Sequence, residues 1–260
     1  MHQERGFNIP LSLPRRFICD MLHFAHDVPS IPVQRRMHLA DVVAARNAAQ
    51  PRPSWCSIFT KAYAKVVART PELRRVVLTA PWERMFEYRA PTADIVIEAR
   101  VGDENILCNV PLNDPDTRPL PDIDLFLAWC KESPVERLRR FRRALNLARL
   151  PRFVIRCFWW YLLNVSGTKR ARYFSTFGVT TVSNWGVESL RPLAPWTSLL
   201  HYGMIAADGT VAVRLTYDHR VMDGSGPSKA LVDLQDVLHT DITAELRALQ
   251  QHDVSLQKTA

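Results

Sequence analysis

The sequence is poor in several things, and each shortage excludes something. Nine glycines in 260 residues, with no G-X-Y period, exclude a collagen-like chain. Five cysteines (Cys19, Cys56, Cys108, Cys130 and Cys157) are odd in number and widely spaced, with no C-x-x-C pair, so neither a disulfide framework nor a zinc site is expected. The first sixteen residues contain no continuous apolar run, so no secretory signal is expected. The longest near-apolar run, FVIRCFWWYLL (153–163), contains an arginine and falls short of the roughly 20 residues a bilayer span needs. Neither G-x-G-x-x-G nor G-x-x-x-x-G-K-[ST] occurs, which argues against nucleotide-phosphate chemistry. Apart from His219, the histidines show no metal-ligand spacing, and no metal is expected. The default compartment is a reducing cytoplasm.

Proline is plentiful, and apolar residues make up 47% of the chain against 23% charged, an ordinary globular balance. The formal charge is +8, but it is unevenly placed. Residues 131–172 hold twelve Lys/Arg against only Glu132 and Glu136, so the rest of the chain is slightly acidic. The same stretch carries Phe153, Phe158, Trp159, Trp160 and Tyr161. Two readings stay open for it. One is a membrane-surface element, with basic residues at anionic headgroups and aromatics in the interface. The other is a core-packing helix with solvated arginines. No nucleic-acid-binding motif accompanies the charge, and nucleic acid is not expected as a partner.

Apolar spacing predicts helices over 14–26, 41–49 (with Asp41 as its cap), 57–68, 123–131, 135–150 and 228–239. Strands are expected at 31–39, 76–78, 94–101, 105–112, 178–183, 199–206 and 211–217. The irregular alternation points to an α/β or α+β chain with one mixed sheet. No clean linker appears, so residues 1–260 are expected to form a single domain, its core about 12–240 and a flexible tail about 248–260.

The segment most suggestive of chemistry is LTYDHRVMDGSG (215–226). A strand runs into His219, an Asp-Gly pair (Asp223, Gly224) follows four residues on, and a helix starts soon after. A sheet end can aim an imidazole into a cleft, and imidazole has the one unperturbed pKa suited to general-base work near neutrality. Gly224 is expected to let the chain turn sharply.

DHRVMDG (218–224) resembles the active-site motif of the acyltransferase catalytic core of 2-oxoacid dehydrogenase complexes, a motif shared with chloramphenicol acetyltransferase. FGVTTVSNWG (177–186) is similar to the family's strand-and-turn motif, and PRRFICDM (14–21) to its basic opening helix. IFTKAYAKVVARTPELR (58–74) resembles its helix followed by a proline-containing turn. The resemblance implies a chloramphenicol acetyltransferase-like α/β fold, a two-layer mixed-sheet sandwich. It implies His219 as general base and Ser183 as oxyanion donor, with Asn184 beside it. It implies Asp223 as a structural partner held by an arginine of the first helix, Arg15 or Arg16. The co-substrate implied is a thioester, acyl-CoA or acyl-carrier-protein, and the assembly a homotrimer or a larger body of trimers with the site at a subunit boundary. Read as starting at that core, the chain is expected to carry no lipoyl arm of its own. The basic 131–172 stretch departs from the family pattern and suggests a hydrophobic or membrane-associated acceptor, with the protein cytoplasmic or peripheral to the inner face of a membrane. A non-catalytic trimeric scaffold, or a core served by a lipoyl domain supplied in trans, is the alternative.

Overall fold

The computed structural model describes residues 6–101, 104–181 and 187–259, with Glu136 and residues 252–259 as backbone only. The chain opens with α1 (Leu13–Ala25), entered through Pro14 and capped by Ser12, whose hydroxyl accepts from the Arg15 amide. Next come β1 (Ser30–His38), α2 (Ala40–Ala48) and α3 (Trp55–Arg69). Asp41 does not cap α2: Leu39 holds that position, and the Asp41 carboxylate instead meets His239 Nδ1 at 2.8 Å. Ser54 caps α3, and its amide and the Ser57 hydroxyl both donate to Asp124.

A short hairpin, β2 (Arg75–Leu78) with β3 (Arg84–Glu87), stands apart from the main sheet. The main sheet takes β4 (Thr92–Val101), β5 (Glu104–Asn113), β6 (Phe177–Thr180), β7 (Ser198–Tyr202) and β8 (Thr210–Asp218). With β1 it has six strands in the order β1-β8-β7-β6-β4-β5. The β4–β6 and β6–β7 pairs are parallel and the others antiparallel, so the sheet is mixed. Between β5 and β6 lie α4 (Leu120–Glu132), α5 (Arg139–Ala148), α6 (Arg152–Asn164) and α7 (Gly167–Tyr173), and after β8 come α8 (Ser225–Val237) and α9 (Thr243–Thr259). The single helix expected over 135–150 is divided. Pro134 opens a short 3-10 turn, and Leu138, extended at ψ 107° with its side chain buried, interrupts the path before α5.

Period-two alternation decides the faces. Ile95, Val179, Leu200, Tyr202, Val213 and Leu215 pack on one face against α3 and α8. There Tyr63 of α3 donates to Ser198 Oγ at 2.8 Å, and Phe59 stacks on Tyr202. The opposite face carries Val96, Leu199, His201 and Arg214, and is partly covered by the segment leading into β7. Gly178 is required there: a Cβ would lie 2.6 Å from Leu199 Cδ1 and 2.7 Å from the Trp196 ring.

Much of the basic stretch is engaged structurally. Arg140 donates to the buried Asp94 at 2.6 Å, and Arg152 and Arg156 both reach the buried Asp20 at 3.4 Å. Arg170 is buried and donates to the carbonyls of Leu163 and Pro195. α6 is amphipathic in its packing. Ile155, Trp159 and Leu162 pack inward, while Phe153 (71% exposed), Trp160 and Tyr161 face outward.

Candidate active site

β8 is an interior strand, bonded to β1 on one side and β7 on the other, so its last residues have a fixed address. Asp218, the final strand residue, is 4% exposed. Its amide donates to Thr197 O at 2.9 Å, and its carboxylate accepts from Arg220 three times: the backbone amide at 3.0 Å, Nε at 3.0 Å and Nη2 at 2.7 Å. A two-pronged guanidinium on a buried carboxylate fixes orientation as well as distance. His219 sits between these partners, its amide donating to Pro29 O at 3.1 Å. The next two residues, Val221 and Met222, are buried and join the main core. The turn is thus clamped by an ion pair on one side of His219 and by apolar anchors on the other.

The imidazole of His219 is 41% exposed and lies on the Tyr217 ring, with centroids 5.8 Å apart. Its Nδ1 is 3.9 Å from Asp223 Oδ1, too long for a hydrogen bond. Asp223 is itself 91% exposed. Among the described residues Asp223 forms no ion pair with Arg15 or Arg16. Arg15 points its side chain into the wall of a cavity described below, and Arg16 is half-buried. The structure therefore brings together His219 and Asp223, and supports the turn through Arg220 rather than through the first helix. Gly224 has φ −57°, a backbone any residue adopts, so its freedom is not what the turn uses; a Cβ there would make ordinary contact with the Tyr217 hydroxyl. Ser183 and Asn184 lie outside the described residues. Burial, with the Asp223 charge second, raises the Tyr217 phenol above its ordinary value. That phenol is no base near neutrality.

Sequence reasoning missed the Asp218–Arg220 clamp. The signal was present in the triplet D-H-R, where the residues flanking the histidine bear opposite charges two apart. The cysteines offer no rival nucleophile among those with a resolved shift: burial raises Cys56, and pushes Cys108 up to about 12 and Cys130 to about 11.

A second feature is a cavity of about 700 Å³ on the far side of the sheet from α3. Its walls come from α1, β4, β5, α5, α6 and α7 and from the segment before β7; His219 is not among them. Most of the lining is apolar, with Arg15, Arg139, Arg140, Arg143 and Arg172 among it.

No protein-family profile and no curated sequence matches the chain. Solved structures do. A probable dihydrolipoamide acetyltransferase from Listeria monocytogenes 4b F2365 superposes with a TM-score of 0.64 at 17% identity, over 91% of this chain and 96% of that one. The dihydrolipoamide acetyltransferase of Azotobacter vinelandii, studied for the role of a serine, a histidine and an asparagine in its catalytic mechanism, gives 0.67 at 16%, over 93% and 94%. The cubic core of the pyruvate dehydrogenase multienzyme complex gives 0.61 at 16%, over 93% and 94%. The chain therefore has the mixed-sheet α/β fold of dihydrolipoamide acetyltransferase catalytic cores, as its motifs led one to expect.

Proposed function

We propose that this protein is an acyltransferase that moves an acyl group from a thioester, acyl-CoA or acyl-carrier-protein, to a thiol, hydroxyl or amine. The observation that carries the reading is His219, partly exposed at the end of an interior strand and held by the Asp218–Arg220 clamp. A side chain so placed has its backbone fixed while its ring stays reachable, which is what a general base requires. The Azotobacter enzyme's histidine and asparagine stand four positions apart, as His219 and Asp223 do here.

In this reading His219 takes the proton of the acceptor as its nucleophile attacks the thioester carbonyl. The negative oxygen of the tetrahedral intermediate is steadied by the Ser183 hydroxyl, a contribution typically of a few kcal/mol. Collapse breaks the carbon–sulfur bond, and the proton held by His219 goes to the departing thiolate. No acyl-enzyme forms. A homotrimer, or a larger body built of trimers, would bring a neighbouring chain over the open side of His219; the assembly named for the cubic core favours this. The exposed Phe153 and Trp160, beside the basic residues of 131–172, favour an acceptor at an anionic membrane surface. The cytoplasm is the compartment that fits.

The test is turnover of the purified protein against a panel of acyl-CoAs and acyl-carrier-protein thioesters, alone and with a lipoyl domain added. His219→Ala should lower the rate about 10²–10⁴-fold with the chain still folded. Wild-type protein inert toward every donor, or a variant as active as wild type, overturns the reading and favours a non-catalytic scaffold.

A further inference from the structure

We infer that the cavity between α1, β5, α5 and α6 is a binding site for the acyl chain of a long-chain amphipathic anion. The inference goes beyond the acyl-transfer reading and does not rest on it, because His219 is absent from the cavity walls. Size comes first: 700 Å³ lies within the range of pockets that enclose a whole small ligand, roughly 300–1,000 Å³.

The lining then selects the ligand. Ile18 and Leu22 of α1, Leu145 of α5, and Trp159 and Leu162 of α6 present hydrocarbon and ring surface. That wall takes an apolar chain rather than a sugar or a nucleotide. Charge decides the other end. Among the described residues five guanidinium groups meet the cavity and one carboxylate does, Asp94. Asp94 is already bonded to Arg140. The side chains of Arg15, Arg139, Arg143 and Arg172 have no hydrogen-bond or ion-pair partner among the described residues. Arg139 and Arg143 stand one turn apart on α5, both exposed, so they form a pair at the mouth rather than in the depth. An uncompensated cationic rim over an apolar interior is complementary to a carboxylate or phosphate head carrying a long chain.

The indole of Trp159 adds a third observation. It is 7% exposed, it lines the cavity, and its Nε1–H has no partner among the described residues. A buried donor left unpaired is costly, and the carbonyl of an ester, thioester or acid would satisfy it.

The experiment is calorimetric titration of the full-length chain with palmitate and with palmitoyl-CoA. Butyrate and hexadecyltrimethylammonium serve as controls. Each buried methylene strengthens binding about fourfold, so palmitate should bind and butyrate should not. The cationic amphiphile should bind at least about tenfold more weakly than palmitate. Binding of palmitate alone identifies a free fatty acid as the source, of palmitoyl-CoA alone a thioester; either supports the inference. The double variant Arg139→Glu/Arg143→Glu changes only exposed positions and should weaken binding about tenfold or more. Ala144→Trp, filling the cavity from α5, should abolish it. His219→Ala should leave it unchanged, which separates this site from the chemistry. Absence of binding by both long-chain ligands, equal binding of the cation, or indifference to the double charge reversal would each overturn the assignment.

Discussion

Replacing Asp218 by asparagine keeps the shape of the side chain and removes its charge. The carboxylate accepts three bonds from Arg220, two of them from a guanidinium, in a position 4% exposed. Asparagine offers one oxygen and one amide nitrogen, so one prong of the guanidinium would face another donor. Bonds to charged groups contribute about 1.5–3 kcal/mol each, and breaking a fully buried pair costs about 3–5 kcal/mol. Arg220 is about one-third exposed, so water recovers part of that loss. The expected destabilisation is about 2–3 kcal/mol, which for a chain of this size is a fall in Tm of about 5–10 °C. Urea or thermal unfolding followed by circular dichroism reads the first number. The second readout is rate. If the clamp aims the neighbouring imidazole, turnover should fall about 10²-fold at temperatures where the variant is fully folded. Arg220→Lys, which keeps the charge but loses the fork, should show a smaller stability loss with a comparable loss of rate. A variant at residue 218 within about 0.5 kcal/mol of wild type refutes the energetic reasoning. A clearly destabilised variant with wild-type turnover refutes the positioning role.

Three further outcomes follow from other parts of the molecule. Gly178→Ala places a methyl group against Leu199 and the Trp196 ring, and should cost about 1–3 kcal/mol in urea unfolding; wild-type stability would show that face to be looser than its distances indicate. His201 is buried, and burial first, then the Arg214 charge, lowers its pKa below the ordinary 6.5. The folded chain thus binds that proton less readily than the unfolded chain. Its stability should be full above pH 6.5 and decline as pH falls from there toward the folded pKa, by at most about 1.4 kcal/mol per unit; in His201→Phe that part of the slope should vanish, and an unchanged slope would contradict the assignment. Phe153→Ser/Trp160→Ser should release the protein from anionic vesicles in flotation, and absence of wild-type retention would remove the membrane reading.

The sheet was the most legible part of the fold, because its strands carry their own evidence. DIVIEARV alternates, and the structure buries Ile95 and Ile97 on the face the alternation indicates. The same pattern assigns Asp94 to the polar side, yet Asp94 is buried. Nothing local could reveal that, since the guanidinium that makes its burial tolerable belongs to Arg140, forty-six positions along the chain. The division of 135–150 was hidden for a similar reason. Its composition suits a helix throughout, and only the burial of Leu138 under the rest of the chain fixes the extended residue.

The candidate site shows the same separation between short and long range. The residues that hold His219 in place, Asp218, Arg220, Val221 and Met222, all lie within three positions of it, so a local motif could point to the turn. An arginine of the first helix would have to reach that turn across two hundred residues, a pairing no local motif carries. The basic stretch makes the point from the other direction. Counting charge treats twelve side chains as equivalent, whereas Arg140, Arg152, Arg156 and Arg170 have acids or carbonyls to satisfy them and Arg139, Arg143 and Arg172 do not. A guanidinium satisfied within the chain has little left to offer a ligand. Of the residues left unsatisfied, Lys131, Arg137 and Arg142 lie outside the cavity, whereas Arg139, Arg143 and Arg172 line it, so only these three of the stretch could offer a free guanidinium to what that cavity holds.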